Sequence, residues 1–323
     1  MSDTVDNALE NCGKPPQLQT SSTNAARSVE RSTHCMNPAI DSCRLCGSEH
    51  HVVVDREIVN GQTFTIARCH DCSLIYVRER YSDLSPDYVR LEPYHMDENR
   101  IRVQGRHKEK SFRQCLDLAS RLLCFSTREL SESKPRMLDV GCATGGFLRI
   151  AQPQYECYGF DASPAQADHA KRHCPTVRHA IGYSDYLTKI HLSPGSFHLI
   201  TMWDVLEHIR EPIPFLQDLS PGLARDGLFF ASVPAATPMR IKSRMRRLWP
   251  GFTWSPHEHA AYYSPSTLAG LVERAGLKVL RVFAVKVYPR DLAAFEVLRR
   301  LVFTLTSFTP GLSPQIGILA RKP

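Results

Sequence analysis

The chain contains no uninterrupted apolar run of about 18 residues, the length that crosses a bilayer. No apolar stretch of the kind that directs secretion stands near its first residues. A chain lacking both is expected in the cytoplasm, with no membrane span. Internal repeats are absent too, which argues against solenoids and propellers. So is the G-x-G-x-x-G that wraps the pyrophosphate of a dinucleotide. Neither sign of charge dominates: 40 Lys and Arg against 33 Asp and Glu leave a net +7. That balance suggests attraction to acidic partners and does not establish nucleic-acid binding.

What is present is globular in character. The 323 residues are 42% hydrophobic and 23% charged, enough for about two domains of roughly 150 residues each. Eleven cysteines in a chain with no secretion signal read as thiols and metal ligands rather than disulfides. Residues 1–40 are polar and aperiodic, the composition of a disordered tail. Residues 41–80 carry two cysteine pairs, with β-like runs at 51–55, 64–68 and 74–77. Residues 81–134 join a tyrosine-containing linker to a helical pattern over 101–125. From 135 to 323, apolar runs at 137–140, 157–160, 197–202, 228–233, 278–287 and 316–320 alternate with helical stretches. That alternation predicts an α/β fold with a mostly parallel, helix-covered sheet.

Cys43-x-x-Cys46, followed by Gly47, and Cys69-x-x-Cys72 repeat one spacing. Two residues between thiols let both sulfurs reach one metal from a tight knuckle, and two knuckles make a closed site for structural Zn²⁺. The second motif is Met137 to Leu148, MLDVGCATGGFL. A short apolar strand ends in Asp139, then Gly141, Gly145 and Gly146 open a loop before a helical pattern. This arrangement presents free backbone N–H groups to a ligand. Asp161 ends the next strand, where a carboxylate accepts both hydroxyls of a ribose. A ligand with a ribose, no phosphate and a cationic end fits, and S-adenosylmethionine is one.

MLDVGCATGGFL, YGFDAS, FHLITMWDVLEHI and DGLFFASVP, in this order within residues 100–323, resemble the class I S-adenosylmethionine-dependent methyltransferases. The cysteine pairs and the block from Trp254 to Leu277 are similar to a subgroup with an N-terminal zinc-binding module. Asp204-Val205-Leu206-Glu207-His208 is similar to ubiquinone-biosynthesis O-methyltransferases. The resemblance implies a Rossmann-like sheet of seven strands with helices on both faces, its last strand antiparallel, preceded by a small zinc-ribbon-like β module. It further implies that Gly141, Cys142 and Gly145 line the methionine part of S-adenosylmethionine, with Asp139 at its amino group. Asp161 holds the ribose, Ala162 lies beside the adenine and Asp185 is a candidate for the adenine amino group. Trp203 packs near the adenosine or the acceptor, or fills the core. His198 stands where the family often has Asp, a difference that touches strand capping.

The acceptor is expected to be a small molecule, sugar derivative or lipid precursor, with O-methylation favoured. The alternative is a zinc-ribbon nucleic-acid-binding protein or RNA methyltransferase. The balanced charge of 41–80 and the lack of an Asn/Asp-Pro-Pro-aromatic motif at Trp203 weigh against it, so no nucleic-acid partner is expected. Residues 238–263 read as a lid whose basic residues recruit an anionic acceptor, or as an amphipathic surface helix. Residues 292–308 form a further amphipathic stretch, expected to pack on the sheet.

Methyl transfer is an in-line displacement in which alignment supplies much of the acceleration, while an acceptor hydroxyl still needs a base or a metal. Two clusters compete. Asp204, Glu207 and His208 share a face if their segment is helical, and the resemblance suggests Mg²⁺ there. His257, Glu258 and His259, followed by Tyr262 and Tyr263, form the other. The expected base is His208 or His259, with Glu207 beside it. The plainer reading is that both groups only brace turns.

Overall fold

A computed structural model describes residues 36–37, 41–81, 96, 98–123, 134–245, 253–285 and 309–323. Most of the expected tail and linker, part of the basic segment (246–252) and the stretch 292–308 lie outside them.

The first strand, β1 (Met36–Asn37), pairs antiparallel with β5 (Arg80–Tyr81). Between them β2 (His51–Val59), β3 (Gln62–Cys69) and β4 (Ile75–Val77) form an antiparallel meander. Asn60 and Gly61 close the β2–β3 hairpin with φ of +51° and +81°. This left-handed pair matches the twist of the flanking strands.

Then follow α1 (Glu98–Leu123), β6 (Arg136–Val140), α2 (Gly146–Ala151), β7 (Glu156–Asp161), α3 (Pro164–Lys171), β8 (Arg178–His179), α4 (Tyr183–Leu187), β9 (Phe197–Trp203), α5 (Pro212–Leu219), β10 (Leu223–Pro234), α6 (Ala236–Arg244), β11 (Ala261–Tyr262), α7 (Pro265–Arg274), β12 (Lys278–Ala284) and β13 (Gln315–Arg321). Seven strands form one sheet in the order β12-β13-β10-β9-β6-β7-β8. β6 to β10 run parallel, and β13 is antiparallel to both its neighbours. This is the expected seven-stranded Rossmann-like sheet with its last strand reversed. Of this sheet's strands only the short edge strand β8 falls outside the expected apolar runs, because two residues carry no periodicity.

Successive strand residues point to opposite faces, and both faces are buried. Leu138, Ile200, Phe229 and Ile318 pack with residues of α4, α5 and α7, whereas Met137, Leu199, Phe230 and Leu319 pack with α1, α2 and α3. Burial on both faces explains why these strands are continuous apolar runs. Ser264 caps α7 by accepting the Thr267 N–H, and Thr267 returns the bond to the Ser264 N–H. No helix among the described residues is long and apolar enough to cross a membrane.

The cysteine-bearing residues do not stand apart. β11, from the far end of the chain, joins β4, giving a four-stranded sheet β11-β4-β3-β2. Phe64, Ile66, Ile75 and Val77 share one buried cluster with Trp254 and Tyr262. Residues Cys35–Pro323 form one compact unit.

Candidate active site

The carboxyl ends of β6, β7 and β9 open into a cleft of about 1210 Å³, above the roughly 300–1,000 Å³ usual for one small ligand. Its floor is the loop after β6. Gly141, Ala143 and Gly145 take φ of +66°, +47° and +80°. A Cβ on Gly141 would lie 2.5 Å from Val205 Cγ2, so glycine is required there for space as well as for φ. Asp161 holds the loop's shape: its Oδ2 accepts the Ala143 N–H and its Oδ1 the Ser163 N–H, each at 2.8 Å. A carboxylate offers about four acceptor positions, so a ribose hydroxyl can still bind.

Asp139 is buried beneath the loop, where its Oδ1 accepts the Thr201 hydroxyl at 2.7 Å. Burial pushes its pKa up to about 7, against the Thr201 bond, which lowers it. Cys142, Ala162 and Trp203 line the same cleft. Trp203 is both a packed and a cleft-lining side chain. It packs against Phe230, Phe112 and Phe147, with ring centroids 4.5, 4.7 and 5.3 Å away, and also borders the cleft. Asp185 is not among the lining residues. Its carboxylate accepts the Ile181 N–H and pairs with Lys189 at 2.9 Å. His198, away from the cleft, accepts the Arg136 N–H on Nδ1.

The opposite wall joins the two clusters that competed in the sequence. Residues 204–209 leave β9 as a tight turn, not a helix. Residues 256–260 form a second turn against it. The Glu207 carbonyl accepts the Ala260 N–H at 2.6 Å and the Ala261 N–H at 3.2 Å, and His208 Nδ1 donates to the Glu258 carbonyl at 2.9 Å. The rings of His208 and His259 then lie 5.0 Å apart. Burial holds His208 below its ordinary pKa and takes His259 down to about 3. The Glu207 carboxyl is buried, neither oxygen has a hydrogen-bond partner, and burial raises its pKa well above the carboxylate range. His257 and Glu258 line the cleft, while Tyr262 and Tyr263 are buried behind it.

Asp204, the third residue of the expected Mg²⁺ trio, lines the same cleft as Glu207 and His208, but the segment that was to align them as a helix is a turn. Asp204 leaves the strand with φ +56°, a conformation that Asp tolerates. Its Oδ2 accepts from Lys108 Nζ at 2.6 Å, and its Oδ1 from Gln315 Nε2 and from the Ser232 hydroxyl. Among the described residues the donor atoms that converge are those of Glu207, His208 and His259. Lys108 was missed in the sequence. Burial disfavours its charge, yet the Asp204 carboxylate raises its pKa above the ordinary value. Its signal was available: Lys108 is in helical register with Phe112, Cys115 and Ala119, the buried stripe of α1.

The family model for a methyltransferase domain matches residues 106–282, more than half of the chain. The chain belongs to this methyltransferase family. Among curated proteins, the ubiquinone biosynthesis O-methyltransferase of Colwellia psychrerythraea is 28% identical over 158 residues, spanning 45% of this chain and 61% of that protein. The enzyme of the same name from Coxiella burnetii is 26% identical over 179 residues, spanning 52% and 74%. The same fold is found in a chain from the complex between the Haloferax volcanii Trm112 methyltransferase activator and a methyltransferase. It matches with a TM-score of 0.50 at 14% identity, covering 75% of this chain and all of that one.

The four expected cysteines converge away from the cleft. Cys43 and Cys72 sulfurs lie 3.5 Å apart, as do those of Cys46 and Cys69, and all four fall within 4.8 Å of one another. Sulfurs about 2.3 Å from one zinc sit roughly 3.8 Å apart, so the cluster fits that ion. Each knuckle closes on a left-handed residue, Gly47 at φ +79° and Ser73 at +66°. The Gly47 N–H donates to the Cys43 carbonyl, and the Ser73 N–H to that of Cys69. His70 is exposed and takes no part.

Proposed function

We propose that this methyltransferase moves the methyl group of S-adenosylmethionine to an oxygen of a small-molecule, sugar-derived or lipid-precursor acceptor. The observation that carries the reading is the two-sided cleft: a glycine loop braced by Asp161 on one wall, and Glu207, His208 and His259 on the other. Gly141, Cys142 and Gly145 receive the methionine part of the cofactor, Asp139 its ammonium, Asp161 the ribose and Ala162 the adenine edge. The cleft has room for an acceptor as well. The names of the curated relatives favour an oxygen acceptor.

Transfer proceeds by backside attack of the acceptor oxygen on the methyl carbon, with the carbon–sulfur pair leaving on sulfur. The residues supply position and proton removal. His208 donates through Nδ1 to a carbonyl, so its Nε2 carries a free lone pair. The acceptor proton leaves at this trio. Cys43, Cys46, Cys69 and Cys72 hold a structural Zn²⁺.

The nucleic-acid reading finds less support. The carboxylates of Asp55 and Glu57 in the cysteine module bind the Trp254 segment of the same chain, which commits that face internally.

The test is a mass-spectrometric screen of the purified protein with S-adenosylmethionine against small-molecule extracts, hydroxylated compounds first. A product heavier by one methyl group is expected. His208→Ala and His259→Ala should each slow its formation by about 10²- to 10⁴-fold. Full turnover in both variants would leave alignment alone as the mechanism.

A further inference from the structure

Three atoms able to ligate a metal converge at the wall of the cleft. Glu207 is 2% exposed, and neither of its carboxylate oxygens has a hydrogen-bond partner. His208 Nε2 lies 4.0 Å from Glu207 Oε1. Because a carbonyl can only accept, the 2.9 Å contact to the Glu258 carbonyl assigns the His208 proton to Nδ1 and leaves Nε2 bare. His259 brings a third donor atom within 4.8 Å of the other two, and its own Nδ1 is buried without a partner. One cation between the Glu207 carboxyl and the bare His208 nitrogen would satisfy both; without it, burial keeps the proton on Glu207. A histidine whose far nitrogen donates to a backbone carbonyl is the usual arrangement of a metal ligand.

We propose that Glu207, His208 and His259 hold one divalent transition-metal ion, with an open coordination position facing the cleft. Two imidazoles and one carboxylate suit Zn²⁺ or its first-row neighbours better than Mg²⁺, which takes oxygen ligands. Three protein ligands with a vacant fourth position are the pattern of reactive rather than structural zinc. Bringing the donors to about 2.1 Å from a common centre requires movements of less than about 1 Å each. The proposal rests on the methyl-transfer reading only for its chemistry. There, the ion would lower the pKa of an acceptor hydroxyl at the open position, and with His208 Nε2 committed to the ion the proton would leave to solvent instead of to that nitrogen. The acceptor oxygen's lone pair then forms the bond to the methyl carbon, and the carbon–sulfur pair stays on sulfur as a neutral thioether.

Metal content decides the matter without any acceptor. The full chain is dialysed against buffered zinc and analysed by atomic emission. Wild type should carry about two zinc ions, one at the cysteines and one at this trio. Glu207→Gln and His259→Ala should each carry about one. Glu207→Gln is nearly isosteric and keeps the Glu207 carbonyl that binds Ala260 and Ala261, so it covers the case in which His259→Ala fails to fold. Cobalt titration gives a second readout: the first ion should show intense thiolate charge-transfer absorption, and the second only weak bands that Glu207→Gln abolishes. One zinc in wild type, or two in a folded Glu207→Gln, would overturn the proposal. Neither result would touch the methyl-transfer reading, which stands or falls on product formation.

Discussion

The two walls of the cleft are built on different principles. The floor is local: β6, its glycine loop, α2 and the end of β7 come from residues 136–161, and Asp161 ties the loop with two bonds of 2.8 Å. The facing wall is assembled from a distance. Lys108 belongs to α1, Glu207 and His208 follow β9, and His257 to His259 precede β11. That last turn hangs on the cysteine module. Glu57 accepts the Trp254 N–H, Asp55 accepts the indole N–H at 2.9 Å, and the Val77 N–H donates to the Ala260 carbonyl at 3.1 Å. The difference teaches that the glycine-loop side carries its own support, whereas the facing wall depends on a module it does not contain.

The comparison is broken most severely by taking the metal from the cysteines. On sequence alone, chelation unfolds 41–80 and spares everything downstream. Through β11 and Trp254, the loss instead reaches 253–263 and displaces His259. Hydrogen exchange should show protection lost in both segments, turnover should fall by about 100-fold or more, and S-adenosylmethionine affinity should hold within about twofold. Unchanged protection of 253–263 in metal-free protein would show the walls to be independent.

Asp161→Ala strikes the other wall. It removes the bonds to Ala143 and Ser163 and the expected ribose contact, so S-adenosylmethionine should bind about 10- to 150-fold more weakly. Exchange protection at 253–263 should not change. Calorimetry with the variant measures the first and hydrogen exchange the second.

A smaller effect follows from Asp139. Its pKa is raised from 3.8 to about 7, so it stabilises the ligand-free fold below its unfolded value, and that contribution is lost as pH rises through 7. A cationic ligand needs the ionised form. S-adenosylmethionine should therefore bind roughly tenfold more weakly at pH 6 than at pH 8. Asp139→Asn should flatten that slope, and a slope that survives in Asp139→Asn assigns the proton elsewhere.

The smallest expected change sharpens the description of the module. Ser73 occupies the left-handed position that Gly47 fills in the first knuckle. Ser73→Gly should relieve strain and raise stability by about 0.5–1 kcal/mol, read as a higher midpoint in thermal unfolding with zinc bound. A lower midpoint would mean that the Ser73 side chain contributes more than its backbone costs.

The amino-acid sequence by itself determined the features that rest on short-range physics. Strands buried on both faces must be apolar throughout, which made β6, β7, β9, β10 and β13 legible. A loop with positive φ beside Val205 needs glycine, which marked 141–145. Paired thiols two residues apart can reach one ion, which marked the knuckles. Asn60-Gly61 is equally legible as a hairpin turn. Tertiary structure alone decided the rest. Whether 204–208 forms a helix depends on what its side chains meet, and Asp204 meets Lys108, Ser232 and Gln315. Whether His208 and His259 belong to one site depends on a backbone pairing across some fifty positions. Whether the cysteine module is separate depends on β11 choosing β4. Periodicity reports which face of an element is buried, but not which distant element buries it.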